Sequence, residues 1–250
     1  MEKYYSPSVC IHKTDVMQEV QHYVSHGYYY WTTGTVHVMR ALSLAHKFDH
    51  HYQVSSDRNR RARTRAIGQA TSVFILYPSS DSAMFSWWLL ASEGAGNVHV
   101  MEVLKDTRLP GERLCWGADY ELAKATKAGR GKPFWSWRMT GTCWAGWQER
   151  IRRAGRSQND AHMRQVIYSL YRVPGFATNR SQVGKLVALA KKEWRHAHRV
   201  ASFPPTPKTL GYVRFRSHET QPLSDLVDRY KKGRVGWFGA QKRGVNIERE

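Results

Sequence analysis

Short apolar runs with little helical periodicity predict β-strands in the first 140 residues of the chain. The segment His26–Val36 is dense in Tyr, Trp, Thr and Val, the residue types that favour strands. Further runs of this kind follow and predict strands that extend the same sheet: Thr71–Tyr77, Met84–Ala91, Val98–Leu104, Leu114–Ala125 and Phe134–Thr140. We therefore expect one sheet that is rich in antiparallel pairs.

Apolar residues spaced three and four apart predict helices. The clearest is Asn179–Arg199, with Asn179 or Ser181 as its N-cap. Its apolar stripe consists of Val183, Leu186, Val187, Ala190 and Trp194. We expect further helices over Val38–His51, Ala161–Val173 and Leu223–Tyr230, and an edge strand over Gly211–Arg216.

These elements predict an α+β fold in which helices cover one face of an antiparallel-rich sheet. The segment Ser202–Pro207 holds three prolines in four positions, which precludes a helix and favours an extended linker. We expect a core domain over residues 1–156 and a helical segment packed on it over residues 157–200. A Pro-linked basic extension over residues 201–250 completes the prediction.

Composition and charge narrow the function. The chain has 250 residues, and 41% of them are hydrophobic, which excludes a disordered protein. Its net charge is +19, and residues 180–250 hold 16 basic against 6 acidic side chains. Because such an excess repels itself in a compact body, we expect a polyanionic partner, DNA or RNA.

Other patterns exclude membrane, secreted and zinc-finger classes. No run approaches the roughly 18 apolar residues of a membrane helix, and the N-terminus does not resemble a secretory signal. The three cysteines are widely spaced and form no zinc-binding pair, which favours a reducing compartment. We expect a cytoplasmic protein with no membrane partner and no cofactor.

Arginine clusters are the strongest candidates for phosphate contact. Residues 58–65 hold five guanidinium groups, a density that cannot pack into a core. A solvated loop that serves solubility is the alternative. The predicted nucleic-acid-binding residues are Arg58, Arg60, Arg61, Arg63, Arg65, Arg138, Arg152, Arg153, Lys185, Lys192, Arg195, Arg199, Lys231, Lys232, Arg234, Lys242 and Arg243.

Aromatic residues of the first predicted strand are candidates for base stacking. Alternation along a strand puts Tyr28 and Tyr30 on one face, where an exposed pair could stack on bases. Ordinary core packing is the alternative interpretation and the more common use of such residues.

Histidines raise the question of a metal. His46, Asp49 and His50 share one face of a predicted helix at a spacing that can hold a divalent ion. The sequence shows no second cluster to complete the coordination, so a polar helix face is the alternative, and we expect no metal.

Several strings resemble uncharacterised proteins of bacterial conjugative plasmids and integrative elements: HGYYYWTTGTV, FSWWLLAS, FWSWRMT and PGFATNRSQVGKLVALAKKEWRH. The resemblance covers about residues 26–199 and implies a mobile-element context without assigning active-site residues. The strand–helix–strand opening is also loosely similar to ferredoxin-like replication initiators and CRISPR RNA-processing endonucleases. The chain lacks the paired histidines of the former and a clear glycine-rich loop of the latter.

These observations predict a nucleic-acid-binding protein of a bacterial mobile element or nucleoprotein complex, which holds a phosphate backbone on arginine-rich surfaces. An endonuclease that cuts single strands or RNA hairpins is the alternative. A structural subunit of a ribonucleoprotein, with protein neighbours, is a further alternative.

Overall fold

A computed structural model describes residues 5–79, 82–127, 130–157, 159–197, 202–207, 210–213 and 219–234. The elements in chain order are β1 (Ser8–Cys10), α1 (Lys13–Ser25), β2 (Tyr30–His37), α2 (Val38–Tyr52), α3 (Arg58–Ala66), β3 (Ser72–Pro78), β4 (Met84–Ala91), α4 (Asn97–Met101), β5 (Lys105–Asp106), β6 (Cys115–Trp116), β7 (Tyr120–Lys127), β8 (Arg130–Met139), α5 (Gly141–Arg156), α6 (Asp160–Leu170), α7 (Ala177–Ala197), β9 (Thr220–Pro222) and α8 (Leu223–Lys231). The fold is α+β with antiparallel sheets. Two compact units divide the chain, residues 1–105 with 217–250, and residues 106–216.

The first unit is built on a four-stranded sheet with the strand order β3-β4-β2-β5. Strand β4 pairs antiparallel with β2 on one side and with β3 on the other. The element order β2-α2-β3-β4-α4-β5, combined with this strand order, gives the ferredoxin-like arrangement. Helix α3 is an addition between α2 and β3.

Apolar side chains from α2, β3 and β4 form the core of the first unit. Helix α2 buries Val38, Ala41, Ala45, Phe48 and Tyr52, which recur at helical spacing on one face. The ring of Phe48 meets the rings of Phe74 and Trp87 at centroid distances of 5.1 and 5.4 Å. Helix α8 adds Leu223 and Leu226 to the same core, so residues after the proline-rich segment return to the first unit.

The second unit combines the antiparallel sheet β6-β7-β8 with helices α5, α6 and α7. Its largest buried side chains include Trp137 of β8 and Trp194 of α7. Helices α5 and α7 approach closely at Gly155, where an added Cβ would lie 2.8 Å from the Cβ of Glu193. This contact requires a residue without a side chain, which fixes the packing of the two helices.

The structure confirms most of the predicted elements. Helices lie at the predicted places in α2, α6, α7 and α8, and strands lie at the predicted places in β3 and β4. The predicted stripe of α7 is buried at Val183, Leu186, Ala190 and Trp194. The segment predicted as a strand over His26–Val36 contains β2, which begins later, at Tyr30.

Three local predictions are wrong. Val98–Leu104 is not a strand, because Asn97–Met101 is helical and Val100 is 86% exposed. Asn179 is not an N-cap: it lies inside α7, is buried, and its Nδ2 donates to the carbonyl oxygen of Pro174 at 3.0 Å. Residues 211–213 form no strand, and the rest of the predicted edge strand, 214–216, lies outside the described residues.

The second sheet and the units also differ from the expected organisation. The predicted strands Leu114–Ala125 and Phe134–Thr140 contribute to β6, β7 and β8, a separate sheet rather than an extension of the first. Since β8 packs against α7, the strands group with the helical segment. The compact units therefore divide the chain at residues 105 and 216 rather than at the predicted boundaries, 156 and 200.

Candidate nucleic-acid interface

Helix α3 displays the arginine cluster and has no buried residue along its nine positions. A helix this short is unstable in isolation, so the hydrogen bonds at its ends contribute to its stability. Asp57 caps it, and its Oδ1 accepts the backbone N–H of Arg60 at 2.8 Å. The same hydrogen bond is the main cause that lowers the pKa of Asp57 below its usual range. The arginine cluster is therefore a capped helix rather than a solvated loop.

Two arginines attach α3 to its neighbours. Arg61 donates through Nη2 to the carbonyl oxygen of Val54 at 3.0 Å and through Nη1 to the hydroxyl of Tyr23 at 3.4 Å. One turn later, Arg65 donates through Nη1 to the carbonyl oxygen of His26 at 3.0 Å. Tyr23 belongs to α1 and His26 follows it directly, so Arg61 and Arg65 hold α3 beside the C-terminal end of α1.

The other three arginines of α3 are exposed to solvent. Arg60 donates through Nη2 to the side-chain oxygen of Gln53 at 2.8 Å. Burial lowers the pKa of the His22 imidazole, and the positive charge of Arg58 contributes to the same shift. Within the part of the chain that the structure describes, no carboxylate forms a salt bridge with any arginine of α3. These guanidinium groups keep their capacity for phosphate oxygens.

Basic residues of the second unit are in part already neutralised. Arg138 donates through Nε to Oε1 of Glu121 at 2.6 Å, and Arg113 reaches the same oxygen at 3.1 Å. The side chain of Glu121 is only 17% exposed. Arg138 therefore has a carboxylate partner, which weakens its prediction as a phosphate contact. Arg152 is half-buried and Arg153 is exposed, both on α5.

The remaining predicted basic residues lie on α7, on α8 or beyond them. Lys185, Lys192 and Arg195 are exposed on α7, away from its buried stripe. Lys231 on α8 forms a weak ion pair with Asp228 at 3.8 Å, one turn before it. Lys232 and Arg234 are exposed. Arg199, Lys242 and Arg243 lie outside the described residues.

The structure places both residues of the predicted stacking pair in packing contacts. Tyr28 precedes β2, is 3% exposed, and its hydroxyl oxygen accepts from Oγ1 of Thr71 at 3.0 Å. Tyr30 packs against the core, and its ring meets that of His99 edge-on at 4.9 Å. Tyr28 is therefore a buried packing residue, as in the alternative interpretation, and Tyr30 is half-buried against the core.

The candidate metal ligands form no coordination site. His46, Asp49 and His50 lie on α2, and Oδ1 of Asp49 accepts the backbone N–H of Ser55 at 2.8 Å. The ring of His50 packs against that of His51 at 5.0 Å. Among the residues that the structure describes, no group of three or more His, Cys, Asp or Glu side chains is arranged to hold a metal ion.

A cleft beside α3 is the feature that sequence patterns missed. We define the α3 cleft by the end of α2, Gln53, Ser56, Arg61 and Thr64, together with segments 69–72 and 95–98. Its volume is about 330 Å³. Most of its polar side chains are amides and hydroxyls scattered along 47 residues of sequence, a pattern that no local motif could signal.

Comparisons with known proteins add no relative. No protein-family model matches the chain, and no similar curated protein or solved structure was found. Within the described residues, every helix is too short or too polar to cross a membrane.

Proposed function

We propose that this chain is a nucleic-acid-binding protein that holds a phosphate backbone on α3. The observation that carries the proposal is a nine-residue helix with five arginines, none of which forms a salt bridge with a carboxylate among the described residues. Phosphate oxygens are the natural acceptors for such guanidinium groups. The net charge of +19 adds long-range attraction for any polyanion.

The salt dependence of binding tests this proposal. Each phosphate contact contributes a slope of about −0.9 for duplex DNA and about −0.7 for single strands in a plot of log affinity against log salt concentration. The variant Arg58→Gln/Arg60→Gln/Arg63→Gln removes three exposed guanidinium groups. We expect it to make the slope shallower by about two to three units, for all nucleic-acid sequences alike. Fluorescence anisotropy with labelled oligonucleotides measures the affinity at each salt concentration and, from it, the slope.

A matched control separates the local surface from the total charge. The variant Arg108→Gln/Arg164→Gln removes two positive charges, but both residues already pair with an aspartate and neither is a predicted phosphate contact. We expect it to change the slope by less than one unit. Equal losses from the two variants, or a wild-type affinity that does not respond to salt, contradict the proposal.

Metal-independent strand cleavage is a second candidate function, favoured by a histidine pair beside α3. The rings of His22 and His26 lie 4.2 Å apart, and His26 accepts the Arg65 contact through its carbonyl oxygen. Burial lowers the pKa of His22, and His26 and Arg58 lower it further. A neutral imidazole can act as a general base that takes the proton from the 2′-hydroxyl or water that attacks the phosphorus, while the P–O bond to the 5′-oxygen breaks and the guanidinium group stabilises the developing charge.

Incubation with labelled RNA hairpins and single-stranded DNA tests the second candidate. Discrete cleavage that persists in EDTA, and that is lost in His22→Ala/His26→Ala while binding remains, supports an enzyme. Intact substrates after long incubation with saturating protein support binding alone.

The setting that we propose is the bacterial cytoplasm and a mobile genetic element. It is supported by the resemblance of residues 26–199 described above and by the widely spaced cysteines. The nucleic acid that co-purifies with the protein, identified by its nuclease sensitivity and length, tests this setting.

A further inference from the structure

The walls of the α3 cleft are held in place by backbone contacts. Gln53 ends α2 in the left-handed conformation, with φ 51° and ψ 44°, which turns the chain toward α3. Opposite it, Ala70 N–H donates to the carbonyl oxygen of Ala95 at 2.9 Å, and Ala95 N–H donates to that of Gly68 at 3.1 Å. These bonds join the two segments that line the far wall.

Gly94 permits the close approach of those two segments. Its φ is +123°, and an added Cβ would lie 2.6 Å from the carbonyl oxygen of Gly68. A side chain at this position would therefore push the segments apart. Since the geometry depends on main-chain contacts rather than on mobile side chains, the cleft exists before any ligand binds.

The lining has the chemistry of a base-recognition site. Gln53, Gln69 and Asn97 contribute carboxamides, and Thr64 contributes a hydroxyl. A carboxamide donates and accepts at once, so it can match the edge of a nucleobase. None of the described residues that line the cleft is acidic, which removes repulsion against a nucleotide phosphate. The volume of about 330 Å³ fits within the range of small-ligand pockets, about 300–1,000 Å³.

The cleft also opens beside the arginines. Arg61 and Thr64 belong both to α3 and to the lining. A strand whose phosphates contact the exposed side of α3 therefore passes the mouth of the cleft. A base stacked and paired inside a duplex cannot leave it without loss of that pairing, whereas an unpaired base can turn inward.

We propose that the α3 cleft binds one unpaired nucleotide of the strand held by α3, and that Gln69 and Asn97 contact its base. This inference rests on the proposed function and adds a substrate class to it. It makes the protein a binder of single strands, loops or ends in preference to continuous duplex.

Matched variants test the inference. Gln69→Ala/Asn97→Ala removes two exposed carboxamides from the cleft. As a control, Gln148→Ala/Gln165→Ala removes one half-buried carboxamide from α5 and one exposed carboxamide from α6. The probes are labelled 12-nucleotide single strands of RNA and DNA and a 12-base-pair duplex, at one salt concentration. We expect the cleft variant to lose about tenfold in affinity for a single strand, and less than twofold for the duplex. The control should match the wild type on all probes.

Side-chain amide NMR signals provide a second measurement that does not depend on affinity. The signals of Gln69 and Asn97 are identified by their absence in the variant, and we expect them to shift when the single strand is added. No shift, or equal losses on single strand and duplex, overturns the inference. If the wild type binds neither probe, the proposed function itself fails. If the cleft variant binds as tightly as the wild type and this binding depends on salt, the proposed role of the α3 cleft fails while the proposed function stands.

Discussion

Helix α3 and the Glu121 cluster, which we define as Glu121, Arg113 and Arg138, use the same guanidinium group in opposite ways. In the cluster, two arginines form salt bridges with one carboxylate that is only 17% exposed. That carboxylate offsets part of their positive charge within the second unit. On α3, two arginines bond to carbonyl and hydroxyl oxygens, which leaves their charge uncancelled. Both regions contain arginine held by hydrogen bonds, but the Glu121 cluster has one carboxylate for its two guanidinium groups, whereas no carboxylate among the described residues forms a salt bridge with the arginines of α3.

The hydrogen-bond acceptor of an arginine therefore determines whether its charge remains available to another ligand. A carbonyl oxygen orients the guanidinium group without neutralising it, whereas a carboxylate does both. Counting basic residues along a sequence cannot separate these cases. The following variants test the contrast between the two regions.

The largest effect is expected from Glu121→Gln. This change leaves Arg113 and Arg138 without their shared carboxylate in a half-buried position. We expect the free energy of unfolding to fall by about 2 kcal/mol, less than the loss for a fully buried pair because the arginines remain partly solvated. Urea denaturation measures it. A loss below about 0.5 kcal/mol, the contribution of an exposed ion pair, would remove the contrast with α3.

Arg61→Ala is expected to have the next largest effect. It removes the bonds to Val54 and Tyr23 that hold α3, and we expect a loss of about 1–2 kcal/mol in unfolding free energy. Hydrogen exchange should show faster opening of α3. Arg63→Ala is the control, since Arg63 is exposed, and its stability should equal that of the wild type. Equal stability of both variants would show that Arg61 does not anchor the helix.

Substitutions of Asp57 distinguish its role as the N-cap of α3 from the effect of its negative charge. Asp57→Asn keeps an oxygen acceptor for the N–H of Arg60 but removes the negative charge, so we expect affinity for nucleic acid to increase by about two- to fivefold. Asp57→Ala also removes the charge but loses the cap, and its α3 amides should exchange faster. Because the pKa of Asp57 is lowered in the folded state, its stabilising contribution is full above the usual pKa and is lost as the pH falls through the lowered value.

The smallest expected effect is a pH dependence from His22. Its pKa lies below the ordinary value of 6.5, so the imidazole is neutral at pH 7 and gains a charge as the pH falls through the lowered value. That charge adds to the charge of Arg58 on α3, and affinity for nucleic acid should rise modestly on acidification. His22→Gln should reduce this rise. A pH profile unchanged by the substitution would place the bound strand away from α1.

Elements that carry their own pattern were predictable from the sequence. In α7, β3 and β4, the apolar pattern within each segment indicates which of its residues are buried. Val98–Leu104 misled because its alternation resembles a strand, in which Val98 and Val100 would share one face, whereas Val98 is buried and Val100 is 86% exposed. Helix α1 was missed, although Val16, Val20 and Val24 recur every four residues and are fully buried.

The candidate site was predictable only in part. The arginine density marked α3 as a charged surface, but its helical form depends on the cap by Asp57 and on contacts with α1, which are distant in sequence. Arg138 was selected for the same reason as Arg63, and only the fold brings Glu121 to it. Likewise, the α3 cleft needs the close approach at Gly94, a tertiary contact that leaves no local pattern.

The absence of buried residues in α3 has an evolutionary consequence. Its outward positions can be replaced without repacking the hydrophobic core, because the attachment to α1 depends on Arg61 and Arg65 alone among its arginines. Related sequences could therefore exchange this helix as an interchangeable module. Each exchange would change the charge that this surface presents, while the scaffold beneath stays the same.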